Sequence, residues 1–167
     1  VGWVEQTPLL EFLNKGSHFS NLTGEKLSEF QVAKSVEAAL ETLDLRRTSY
    51  ALAPCWDDLA PYYGLFVETS DLPAEAAAEV LAAEIDRNLS LANVEYETKR
   101  SSKRLGPVQP QLLPAGRWSQ WDRERMARTG ATPEQYKHPI LVPGLEFEKQ
   151  IRVRANPPAS RPSTSVG

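Results

Sequence analysis

Apolar and polar positions divide the chain into recognisable elements. Pro8 to Leu13 reads as a short apolar strand closed by Asn14-Lys15-Gly16, and Ser17 to Leu22 as a second strand. Ser28, with Gln31 three residues later, is a reciprocal capping pair at a helix start. Val32, Val36, Ala39/Leu40 and Leu43 then recur at helical spacing and define one apolar face. Ser49 to Trp56 and Tyr62 to Glu68 are apolar and aromatic runs, joined by a loop too long for a two-residue turn, and read as a hairpin.

A second helix starts near Pro73, with Ala77, Leu81, Ile85 and Leu89 on its inner face. Another helical piece covers Val94 to Lys103 and stops before Gly106-Pro107. Val108 to Leu113 is a strand that Pro110 restricts to an edge. Arg117 to Thr129 is a third clear helix ended by Gly130, and Thr132-Pro133 opens a short helical turn through Tyr136. This order predicts an α+β domain over residues 1–154, a small lid-sized unit with helices on one face of a mainly antiparallel sheet. The Pro/Ser-rich stretch 155–167 is expected to be a disordered tail.

A length of 167 residues suffices for one core without disulfides or metals. The lone cysteine, Cys55, excludes an internal disulfide and fits a reducing compartment, so a cytoplasmic location is expected. His18 and His138 show no metal-ligand spacing with it. No run of about 18 apolar residues is present to span a membrane, and residues 1–20 carry no signal-peptide pattern. Val1-Gly2-Trp3-Val4 lacks an initiator Met and resembles the middle of a strand, so a fragment or one domain of a larger protein is expected; a processed terminus is the alternative.

The net charge of −3 conceals polarity: residues 1–98 sum to −11 and residues 99–167 to +8. Either the halves neutralise each other in the fold, or a basic face meets phosphate or an acidic partner. Lys99 to Arg104 is the densest basic run and sustains a nucleic-acid reading, yet no aromatics interleave with its cations, which makes such binding unlikely.

No nucleophile–base–acid set is visible. Gly24-Glu25-Lys26 lacks the spacing of a phosphate-binding loop and by itself reads as a turn. In Gln135-Tyr136-Lys137-His138-Pro139 a lysine sits on a loop whose continuation Pro139 fixes. Such a lysine either delivers a point charge to a phosphate or carboxylate or serves solubility alone.

Taken in order, several segments resemble the carboxy-terminal domain of the auxin-responsive GH-three family of acyl acid–amido synthetases, in the adenylate-forming superfamily. They are Thr7-Pro8-Leu9-Leu10-Glu11-Phe12, the loop from Asn21 to Glu29, the strand from Tyr62 to Glu68, Asn93 to Tyr96 with Arg104 to Pro107, and the Gln135–Pro139 segment. The resemblance spans residues 7–142, and the Gln-Tyr-Lys-x-Pro segment is its most specific part.

The resemblance implies a ligase that adenylates a carboxylic acid with ATP and magnesium, then transfers the acyl group to an amine or amino acid. This domain would be the lid on an amino-terminal adenylating domain that supplies most of the ATP and acid pocket, so the isolated chain is expected to be inactive. It implies Lys137 as the lid lysine that reaches the adenylate, with Gln135 and Tyr136 positioning its loop. Gly24, Glu25 and Lys26 fall at the hinge near the nucleotide, with either Glu25 or Lys26 facing it. Two positions depart from plant members: Ile140 stands where Arg is common, and Gly24-Glu25-Lys26 where an Asp-Lys-Thr-type loop is common. The alternatives are a non-catalytic interaction module and a small nucleic-acid-binding domain.

Overall fold

The computed structural model describes residues 3–4, 7–8 and 19–153. Two short antiparallel pairs come first, β1 (Trp3–Val4) with β2 (Thr7–Pro8) and β3 (Phe19–Ser20) with β4 (Leu27–Ser28). Most of the strand expected from Pro8 to Leu13, and the expected tail at 155–167, lie outside the described residues.

Helix α1 (Glu29–Thr42) begins as the sequence predicts. The Ser28 hydroxyl accepts from the Gln31 N–H at 3.2 Å, and Gln31 Oε1 accepts from the Ser28 N–H at 3.0 Å. This satisfies donors that an α-helix leaves open at its amino end. Val32, Val36, Ala39 and Leu40 form the buried face.

Strands β5 (Tyr50–Trp56) and β6 (Pro61–Glu68) pair antiparallel, with Trp56 opposite Pro61 across a four-residue loop. Asp57 Oδ1 closes that loop by accepting from the N–H groups of Leu59 and Ala60 at 2.8 and 2.9 Å. A 3-10 turn (Thr69–Asp71) leads to α2 (Glu75–Ala92), and Asn93 caps α3 (Val94–Ser101) by accepting from the Tyr96 N–H. Helix α2 buries Ala78 rather than Ala77, together with Leu81, Ala82, Ile85 and Leu89. The neighbouring alanine completes the stripe because α2 lies along α1, where Asn88 Nδ2 donates to the Ser35 carbonyl.

Strand β7 (Gln109–Leu113) joins β6 in parallel and forms the sheet edge, the position Pro110 requires. At the other edge, Leu141 forms a parallel bridge to Leu52. Helices α4 (Arg117–Thr129) and α5 (Phe147–Val153) complete the described chain. Helix α5 lies beyond the elements that the pattern of apolar positions predicts. No helix among the described residues is long and apolar enough to cross a membrane.

The α+β class is as expected, but the layering is richer than helices on one face. Leu52, Tyr63, Leu65 and Val67 pack against α1, α2 and α3. The alternate residues Ala51, Ala53, Cys55, Tyr62 and Phe66 pack against Trp118 and Trp121 of α4 and Phe147 and Ile151 of α5. All eight residues of β6 are buried. A strand apolar on both faces needs cover on both, and the basic amphipathic helix α4 supplies the second layer. Buried Arg117 ties that layer together by donating from Nε to the Ile151 carbonyl at 2.8 Å.

Candidate functional site

The loop from Asn21 to Lys26 joins β3 to β4 and is built around a buried acid. Glu25 is 1 % exposed. Its Oε1 accepts from the Leu22 N–H at 2.7 Å, and its Oε2 accepts from the Thr23 N–H at 2.8 Å and the Thr23 hydroxyl at 3.0 Å. The Tyr63 hydroxyl donates to the same carboxylate and lies within 3.1 Å of the Ser20 hydroxyl. Burial pushes the Glu25 carboxyl upward, but the bonds from Tyr63, Leu22 and Thr23 outweigh it and hold the group below its ordinary 4.5. Burial and the bond to Glu25 push the Tyr63 phenol well above the tyrosine range.

Gly24 and Lys26 carry the turn, with φ of 107° and 44°. Gly24 leaves room for the Lys99 side chain, whose ammonium would lie 3.4 Å from an added Cβ. Asn93 ties the loop to the helical layer, donating from Nδ2 to the Glu25 carbonyl at 3.0 Å. The result is a loop with its acid turned inward and Lys26 exposed.

The second candidate segment lies between α4 and the 140–142 bridge to β5. A turn over Pro133–Gln135 opens it, with the Gln135 and Tyr136 N–H groups donating to the Thr132 carbonyl at 3.0 Å. Gln135 is exposed, and its Oε1 faces the Thr132 N–H at 3.5 Å. The Tyr136 hydroxyl donates to Asp122 Oδ1 at 2.7 Å. Burial, with the Asp122 carboxylate beside it, raises that phenol above its usual value. His138 Nδ1 lies 2.9 Å from the same Asp122 oxygen, and His138 Nε2 lies 3.0 Å from the Tyr50 carbonyl. The His138 ring stands edge-on to Trp118 at 4.6 Å. Beyond it, the Leu52 N–H donates to the Ile140 carbonyl and the Val142 N–H to the Leu52 carbonyl.

Lys137 sits between these two anchored side chains and is itself exposed. Among the described residues it has no hydrogen-bond or ion-pair partner. It lines a hollow of about 310 Å³ with Glu29, Arg125, His138, Leu141 and Pro143. Glu29, the first residue of α1 and three positions beyond Lys26, is the nearest part of the first segment to line it. Glu25 and Lys26 do not line it.

A larger hollow of about 520 Å³ along α1 contains none of the sequence-predicted residues. Three of its charges pair with one another: Glu37 lies 3.0 Å from Lys34 and 3.4 Å from Arg47. In the basic run, Arg100 is committed to Asp86, with Nη2 to Oδ2 at 2.9 Å, and donates from Nη1 to the Leu105 carbonyl.

Sequence reasoning missed two residues that shape these segments. Asp122 contacts residues 14 and 16 positions away on a loop, and no local pattern announces that. Asn93 was legible in principle, since an Asn before a helical run is a cap signal.

No curated protein matches the chain. Solved structures share its fold, among them "AtGH3.15 acyl acid amido synthetase in complex with 2,4-DB", at 18% identity and TM-score 0.62 over 81% of this chain, and "GH3.15 acyl acid amido synthetase", at 20% identity and TM-score 0.63 over 82%. The chain spans about a quarter of each, 25% and 24%. The family model for the GH3 family C-terminal domain matches residues 30–145, which include both faces of the sheet and the whole Lys137 segment. A match over that much of the chain places it: it belongs to the GH3 family, as a C-terminal domain.

Proposed function

We propose that this domain is the lid of an ATP-dependent acyl acid–amido synthetase. It works with an amino-terminal domain, in the cytoplasm, to adenylate a carboxylic acid and pass the acyl group to an amine or amino acid. ATP supplies the phosphoryl chemistry that activates the acid. The observation that carries the reading is the disposition of Lys137: exposed, without a partner among the described residues, and projecting from a loop tied down on both sides.

A cation held this way suits a phosphate. Among the described residues no acid pairs with its charge, and its loop needs little reordering to deliver it. Arg125 in the same hollow adds a second positive charge. Gln135 and Tyr136 shape the approach of Lys137. Of the two hinge candidates, Lys26 presents an exposed charge to the nucleotide, while Glu25 serves it by holding the loop in shape. Among the described residues no group of three or more His, Cys, Asp or Glu could hold a metal ion. The magnesium that accompanies ATP is assigned mainly to the amino-terminal domain, as the family resemblance implies. Closure of such a lid excludes water from the activated acid until the amine arrives.

The test is Lys137→Ala in the full-length enzyme, read by acid-dependent pyrophosphate exchange. Loss of one charge-stabilising donor is expected to cost about 100-fold or more in adenylate formation. An unchanged rate would return Lys137 to a solubility role. The isolated chain is expected to form no acyl-adenylate, and its doing so would overturn the lid assignment.

A further inference from the structure

We propose that Asp122 is the positioning residue for Lys137; this rests on the lid reading above. Asp122 lies on α4, whereas Lys137 lies on the following loop. The Asp122 carboxylate holds the residue on either side of Lys137. Its Oδ1 accepts from the Tyr136 hydroxyl at 2.7 Å, and its two oxygens lie 2.9 and 3.1 Å from His138 Nδ1. One acid thus pins both neighbours of the lysine to a helix packed on the sheet.

The other side of the clamp is equally specific. His138 Nε2 faces the Tyr50 carbonyl at 3.0 Å, and the ring packs edge-on against Trp118. Both ring nitrogens thus lie within hydrogen-bond distance of an oxygen, one on α4 and one on β5. Tyr136 and His138 both turn inward, and Lys137 between them is left exposed with its charge uncommitted among the described residues.

Without Asp122, the two anchors on that carboxylate are lost together, and the loop keeps the Thr132 turn, the His138 contacts with Tyr50 and Trp118, and the bridge at Leu141. The ammonium would then sample positions well away from its target. A misplacement of about 1 Å at a reacting centre costs up to ~100-fold in rate.

The experiment is a double-mutant cycle in the full-length enzyme, read by adenylate formation. Asp122→Ala is expected to lower kcat by about 10- to 100-fold, with the KM for the acid unchanged. Asp122→Asn keeps a carbonyl acceptor for Tyr136 and is expected to recover part of the loss. In a Lys137→Ala background, Asp122→Ala is expected to add less than about 2-fold, because it acts through the missing lysine. Multiplying effects, or a full rate in Asp122→Ala, would overturn the proposal. If Asp122→Ala does not fold, the pair Tyr136→Phe with His138→Gln removes the same anchors and enters the same cycle. Loss of activity in Lys137→Ala with none in Asp122→Ala removes the positioning role alone. No loss in Lys137→Ala removes the lid reading beneath it.

Discussion

Glu68, the last residue of β6, caps a helix fifty positions away: its Oε1 accepts from the Trp118 N–H at 2.6 Å. Its Oε2 accepts from the Gly116 N–H at 2.8 Å. Helix α4 has no side-chain cap of its own, because its cap position is Gly116 in the left-handed region at φ 80°. The strand therefore supplies the negative charge and the acceptors that the helix terminus lacks. Glu68→Ala is expected to cost about 2 kcal/mol in urea unfolding, from lost capping and open N–H groups. An unchanged midpoint would mean water replaces the carboxylate without penalty.

Glu25 makes stability depend on pH. Its folded pKa lies below 4.5, so its contribution is present above that value and is lost as pH falls through the folded pKa. Glu25→Gln is expected to cost about 2 kcal/mol at neutral pH, where hydrogen bonds to the charged acid are lost. The gap between wild type and variant should shrink as acid protonates Glu25. Equal gaps at neutral and acidic pH would show that shape, not charge, holds the loop.

The contrast between these two acids explains how much of the molecule was legible in its sequence. Ser28 and Gln31 are three residues apart, so their reciprocal cap can be read directly, as can the apolar face of α1 behind it. The edge position of β7 follows from Pro110 alone. Glu68 and Trp118, or Glu25 and Tyr63, meet only once the sheet has formed, and nothing at either position names its partner. The second helical layer did leave a trace in the unbroken apolar run of β6, which a one-faced sheet would not need. Lys137 stands between these cases. Spacing alone left it a loop lysine, the family resemblance marked it, and Asp122 became visible only in three dimensions.

Close packing at the sheet centre gives a third expectation. A Cβ added at Gly64 would fall 2.8 Å from Cys55 Sγ and 3.0 Å from both Gln111 Cγ and Phe66 Cε2. Cys55 and Phe66 belong to the buried face covered by α4 and α5, while Gln111 is half-buried on the edge strand. Gly64→Ala is expected to destabilise the chain by about 1–3 kcal/mol through overpacking. The Cys55 thiol reports the same event: burial raises its pKa to about 12 and keeps it unreactive. Faster modification of Cys55 by a thiol reagent in Gly64→Ala would register the loosened layer, and wild-type stability and reactivity would contradict the packing argument.

Lys26 lets the turn and the hinge be separated in one position. At φ 44° it holds a backbone conformation that costs an L-residue energy and glycine almost none. Its side chain is exposed and makes no ion pair among the described residues. If the residue served only the turn, glycine would be the better choice. Lys26→Gly is therefore expected to raise stability in urea by about 0.5–1 kcal/mol, the relief of strain exceeding the added freedom of the unfolded chain. In the full-length enzyme the same change removes a cation next to the proposed nucleotide position and should slow adenylate formation. Lys26→Asn, which tolerates the same φ, should match Lys26→Gly in rate but gain less stability. Opposite signs for stability and rate would mark a lysine kept for its charge. A faster or unchanged rate in both variants would leave Lys26 as part of the turn and nothing more.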